Sequence, residues 1–166
     1  SGCTSLVNAP NLPATSLADS CYNGMLGGTS LLPDCSNIDF TSESVVNSGA
    51  LIGLFSDTKV TDNDLDKILP KNENNKYFLP VTALSPNCYY SMFYACTSLM
   101  NAPELPATVL AEYCYGDMFS GCTSLVTAPE LPPLCLDIFI LTDFVVPLAN
   151  AEDNLLSKNQ RPVQLP

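Results

Sequence analysis

The chain predicts a stacked-repeat architecture of α/β class, in which short extended segments alternate with short helical turns. Three observations predict it. First, Ala95 to Ser120 reads ACTSLMNAPELPATVLAEYCYGDMFS, and the pattern restarts at Gly121 as GCTSLVTAPELPP. Second, a further copy, GCTSLVNAPNLPATSLADSCYNGMLG, occupies Gly2 to Gly27. Third, the step between the clean copies is 26 residues, from Cys96 to Cys122 and from Cys88 to Cys114. A fixed period of that size marks units that stack on one another, because each buries its apolar face only against its neighbours.

The 166 residues form one domain by length, with room for about six coils at this period. Residues 1–33 are N-terminal repeats, 34–87 degenerate repeats and 88–133 clean repeats. Residues 134–149 are an apolar C-terminal cap and 150–166 a polar tail with two prolines. The chain enters at mid-repeat with no polar cap, and begins with Ser1. This reads as a mature product or a piece of something longer, with missing upstream repeats, an unusual cap or a neighbouring molecule covering the first coil.

In 34–87, Ile52-Gly53-Leu54-Phe55-Ser56-Asp57-Thr58 is a worn copy of the Met-Phe-Ser-Gly-Cys-Thr-Ser element, with Asp57 near the cysteine position. Thr61 to Leu69 reads as a short helix, with Thr61 as N-cap, Asp64 at the third position and an acidic first turn. Pro70 ends it. Lys71 to Lys76 is a polar turn. Tyr77 to Leu84 returns to the repeat phase, in register with Glu104 to Ala111. In the clean repeats, LMNAPELP lies between prolines and predicts an extended segment, since proline marks strand ends. Leu110, Cys114, Met118 and Cys122 then follow at i, i+4 spacing, which predicts a helical or 3-10 turn closed by Gly121. The run LCLDIFILTDFVVPLA at 134–149 reads as a terminal strand or strand pair.

The motif resembles the BspA-like (Treponema pallidum type) leucine-rich repeats, whose Phe-x-x-Cys-x-x-Leu core precedes a Leu-Pro step. The matching residues are Phe93, Cys96, Leu99 and Leu105-Pro106, then Phe119, Cys122, Leu125 and Leu131-Pro132, with Cys3 and Leu6 at the start. The likeness covers about half the chain, fades over 34–87 and is absent after 134. It implies a leucine-rich-repeat right-handed solenoid, with a parallel β-sheet on one face and short helical or 3-10 turns on the other. It also implies a place on a cell surface, in adhesion or protein binding.

Six basic residues against 17 acidic ones give a net charge of −11. That disfavours nucleic acid and anionic membranes, which demand a cationic surface. No apolar stretch is long enough to span a bilayer. Eight cysteines with no histidine point to an extracellular or cell-surface location, and allow 105 disulfide pairings. Cys88 over Cys114, or Cys96 over Cys122, falls within disulfide reach in a stack of coils. The other reading is a column of buried thiols, favoured for Cys96 and Cys122, whereas at least one disulfide is expected among Cys21, Cys35, Cys88, Cys114 and Cys135. Without histidine or a Cys-x₂₋₄-Cys pair there is no zinc pattern. No sequon for N-glycosylation occurs, and serine and threonine leave O-glycosylation open.

Asp62, Asp64, Asp66 and Glu73 fit positions 1, 3, 5 and 12 of a calcium loop, but Lys67 replaces the required glycine and Pro70 interrupts. A capped, solvated helix start is the better reading. No metal or cofactor is therefore expected. Catalysis has no histidine base and no identifiable carboxylate pair. Gly27-Gly28 is a repeat turn with no phosphate-binding lysine after it. Tyr22, Tyr89, Tyr90, Tyr94, Tyr113 and Tyr115 are core or flanking residues unless exposed in a row. The expected function is non-enzymatic binding of a protein or glycan. The alternative is a fibre subunit stacked head to tail through the chain ends, with a carbohydrate-active enzyme third.

Overall fold

A computed structural model describes residues 5–6, 22–29, 51–127 and 129. The apolar stretch 134–149, the tail, and Cys3, Cys21, Cys35 and Cys135 lie outside the described residues. The clean copies stack in register. Three parallel bridges, Phe78 with Glu104, Ala83 with Val109 and Asn101 with Thr127, each join residues one 26-residue period apart. Leu99 and Leu125 are both fully buried in one core.

The expected solenoid with a parallel sheet and helical turns is not what forms, however. Among the described residues there is no sheet, only isolated bridges and a single 3-10 helix, Asp62–Lys67. Proline explains the missing ladder. Pro103 and Pro106 flank Glu104-Leu105, and a proline has no N–H to donate, so pairing is broken after one residue.

The segment expected to be helical is a ribbon of consecutive turns. Residues 85–96 and 111–122 make up two of its rungs, and 51–58 and 22–29 two more. Along a rung, N–H groups alternate between two directions. Those of Cys88, Tyr90, Met92, Tyr94 and Cys96 close turns onto the carbonyl three residues back. Those of Asn87, Tyr89, Ser91, Phe93 and Ala95 leave the rung. They donate to the carbonyls of Glu112, Cys114, Gly116, Met118 and Ser120 on the next one, at 2.7–3.1 Å. An α-helix would use every N–H internally; here half of them hold the stack.

A four-residue unit underlies the ribbon. Its first residue has positive φ, as at Asn87 (58°), Ser91 (54°) and Ala95 (55°), then at Tyr113 (54°), Asp117 (51°) and Gly121 (77°). Each stands third in a four-residue turn, the position where a type II turn needs positive φ. Ser85-Pro86-Asn87-Cys88 shows the sequence logic, with proline second and asparagine third. The next two residues of each unit point inward. The inner wall is therefore Cys88-Tyr89, Met92-Phe93 and Cys96 over Cys114-Tyr115, Met118-Phe119 and Cys122, all fully or almost fully buried. The i, i+4 spacing of apolar residues was real, but its cause was this four-residue unit and not a 3.6-residue helix. At Gly121 the space is also tight: an added Cβ would lie 3.2 Å from Ala95 Cα.

Aromatic rings rise through the core in step. Phe55 stacks on Phe93 at 5.7 Å between centroids, Phe93 on Phe119 at 5.8 Å, and Tyr89 on Tyr115 at 6.0 Å. Such spacing lies in the favourable range for ring pairs, and burying each phenylalanine contributes about 1.5–3 kcal/mol. Left-handed backbone at a non-glycine residue costs roughly 1–2 kcal/mol. The stacked core and the inter-rung hydrogen bonds offset it.

The Phe55 stack also corrects the alignment of the worn copy. Phe55 holds the place of Phe93, so Thr58, not Asp57, occupies the cysteine position. Its Oγ1 lies 3.5 Å from Cys96 Sγ and donates to Phe55 O at 2.7 Å. Asp57 takes the positive-φ place of Ala95 (φ 56°) and is exposed. Thr29 stands one rung further, buried, in the same column.

Candidate recognition surface

Cys88, Cys96, Cys114 and Cys122 are free, buried thiols. The column expected of Cys96 and Cys122 is present, while a disulfide through Cys88 or Cys114 is not. Cys96 Sγ donates to Phe55 O at 3.1 Å and Cys122 Sγ to Phe93 O at 3.0 Å, each reaching the adjacent rung. Burial pushes the Cys88 and Cys96 thiols up to about 12 and Cys122 to about 11, and raises Cys114 as well. Such thiols stay protonated at neutral pH, which leaves them poor nucleophiles.

The acidic run does not converge. Asp64 accepts the Thr61 backbone N–H at 3.0 Å and its hydroxyl at 2.7 Å, capping the 3-10 helix as expected. Asp66 pairs with Lys71 at 2.7 Å, and that hydrogen bond holds its carboxyl below the ordinary range. Asp62 turns towards another rung. Its carboxylate accepts the N–H groups of Met100 (3.0 Å) and Asn101 (3.1 Å) and the Asn101 side-chain amide. Each aspartate thus has a separate structural task, and Glu73 is exposed on the polar turn. No cluster of three or more metal-ligating side chains occurs among the described residues. Gly27 and Gly28 belong to the turn ribbon, with Gly28 N–H bonded to Ser56 O.

The tyrosines divide. Tyr89 and Tyr115 are core residues, Tyr22, Tyr90 and Tyr113 are half-buried, and Tyr94 is 40% exposed. Tyr90 donates to Asp117 Oδ2 at 2.6 Å, tying two rungs together. Below Tyr90 and Tyr94 the register places Gly116 and Ser120, so the described rungs carry no row of tyrosines. The loops remain.

Two loops stand out, 97–101 and 123–127. In both, the leucine goes inward and the residue after it goes out. Met100 is 53% exposed and Val126 44%, one period apart. Val126 N–H donates to Met100 O at 2.8 Å, and the Thr127 hydroxyl donates to Asn101 Oδ1 at 3.2 Å. Asp62, Asn101 and Thr127 thereby form a polar line beside an apolar ridge, with Thr97 and Thr123 exposed on the approach. The anchoring is firm. The leucines beneath are fully buried, and Asp62 fixes the first loop from the 3-10 helix. Sequence reading passed over this ridge. Its signal was the apolar residue following each Cys-Thr-Ser-Leu, one too many for the inward face.

No protein-family model, no curated protein and no solved structure matches the chain. No helix among the described residues is long and apolar enough to cross a membrane.

Proposed function

We propose that the chain is a non-catalytic recognition module of an extracellular or cell-surface protein, binding a protein or glycan along the Met100–Val126 ridge. The ridge itself carries the reading. It is exposed apolar surface, bordered by hydroxyl and amide groups, on loops held in fixed register by the rungs below. Rigid presentation limits the ordering cost of binding, and an apolar centre with a polar rim is the usual anatomy of a contact patch. The Phe-x-x-Cys-x-x-Leu motif adds support by analogy with BspA-like surface proteins, for function and not for fold. The net charge of −11 speaks against nucleic acid and anionic lipid as partners.

The test is a panel of immobilised purified proteins and glycans, probed with the chain and with a Met100→Asp, Val126→Asp variant. Binding that the double variant loses, with its melting temperature kept, is the expected result. Equal binding by both, or turnover of any panel member, would sink the reading. A second reading is a fibre subunit. Alternate N–H groups aimed along the stack support it, since such bonding propagates from rung to rung. Sedimentation of a strict monomer from micromolar to millimolar concentration would remove it.

A further inference from the structure

All four methionines lie among the described residues, and they divide sharply. Met92 and Met118 are fully buried in the inner wall and Met25 is packed against the core, whereas Met100 is 53% exposed. The four described thiols are sealed too, with ionisation pushed well above neutrality. We propose that Met100 is an oxidative modification site, taking one oxygen from hydrogen peroxide. The thioether sulfur attacks the terminal peroxide oxygen. The O–O bond breaks as the S–O bond forms, and the departing hydroxide takes the proton from the transferred oxygen and leaves as water. Sulfur loses two electrons and the peroxide gains them.

The consequence is local. The sulfoxide replaces an apolar, flexible tip by a polar one at the centre of the ridge. The rungs keep their packing, because Met100 holds the stack through its backbone, with its N–H on Asp62 and its carbonyl accepting from Val126. If the ridge is the contact patch, oxidation switches it off. That consequence rests on the proposed function; the modification does not.

The experiment is brief treatment of the intact folded chain with hydrogen peroxide, followed by peptide mapping by mass. Met100 is expected to gain one oxygen at least about tenfold faster than Met92 and Met118, whose exposure requires local opening. Met25 should be intermediate, and the peptides holding Cys88, Cys96, Cys114 and Cys122 unchanged. In guanidinium the four methionines should converge on one rate. A Met100→Leu variant should lose the early oxygen uptake and keep its melting temperature. Met92 or Met118 oxidising as fast as Met100 in the folded chain would overturn the proposal, as would Met100 reacting no faster than the buried pair. Both readings are made without a binding partner, so a failed recognition assay leaves them intact.

Discussion

The clean rungs and the segment between Thr58 and Leu79 reach the same register by different means. Phe93 meets Phe119 after 26 residues, but Phe55 meets Phe93 only after 38. The additional residues leave the stack as a 3-10 helix and a small hairpin closed by the Lys71–Tyr77 bridge. In the clean rungs, backbone hydrogen bonds and buried rings hold the structure. In the excursion, Val60, Leu65, Ile68 and Leu69 pack into the same core, and polar side chains add ties across the exposed part. Asn72 Oδ1 accepts the N–H groups of Asn74 and Lys76, Asp66 pairs with Lys71, and Glu104 receives Asn72 and Lys76. A stack therefore tolerates a long insertion when both ends return to the same column, because loop length is entropically cheap and the register is set elsewhere.

The comparison breaks most sharply at Phe93, whose ring lies between Phe55 and Phe119 with no exposed surface. Phe93→Ala should cost about 3–5 kcal/mol in denaturant unfolding, by lost transfer and by the cavity left behind. Alkali should come next. The buried thiols have folded pKa values raised above the ordinary 9.0, so the folded state holds protons the unfolded chain has already released. Their contribution is full below about pH 9 and is lost as pH rises through 11 to 12. The melting temperature should fall over that window. A Cys96→Thr, Cys122→Thr variant, following Thr58, should fall less steeply. Asp62→Ala removes the carboxylate that joins the excursion to the ridge, and should cost about 1 kcal/mol, as loss of a capping side chain does. Proteolysis near Met100 should report it. Smallest is Lys71→Ala. Its ion pair with Asp66 is exposed and screened, so no resolvable change in the denaturation midpoint is expected. A midpoint shift there as large as that of Asp62→Ala would show that an exposed ion pair, and not the buried Leu65, Ile68 and Leu69, holds the excursion in place.

Part of this was legible in the residues. The return of Tyr77 to Leu84 to the repeat phase was legible, but setting it against Glu104 to Ala111 is one residue out: Phe78 bridges Glu104 and Ala83 bridges Val109, which puts Leu79-Pro80 over Leu105-Pro106. The Thr61–Asp64 cap followed from local chemistry, since capping involves only neighbours in sequence. Thr58 was not legible. The worn copy puts Asp57 near the cysteine position, and only the Phe55–Phe93 stack decides the offset. The ridge was missed for a similar reason. Met100 and Val126 resemble core residues in isolation, and their exposure follows only once Leu99 and Leu125 have taken the interior.

By itself the sequence determined the period, and with it which residues of the clean copies stand over one another. Repetition in the chain becomes repetition in space, because identical units present identical surfaces to each other. Only the tertiary structure decided what each unit is. Apolar side chains four apart suit a helix and a four-residue turn equally well. The choice between them lies in where alternate N–H groups find acceptors, and those acceptors belong to the next rung.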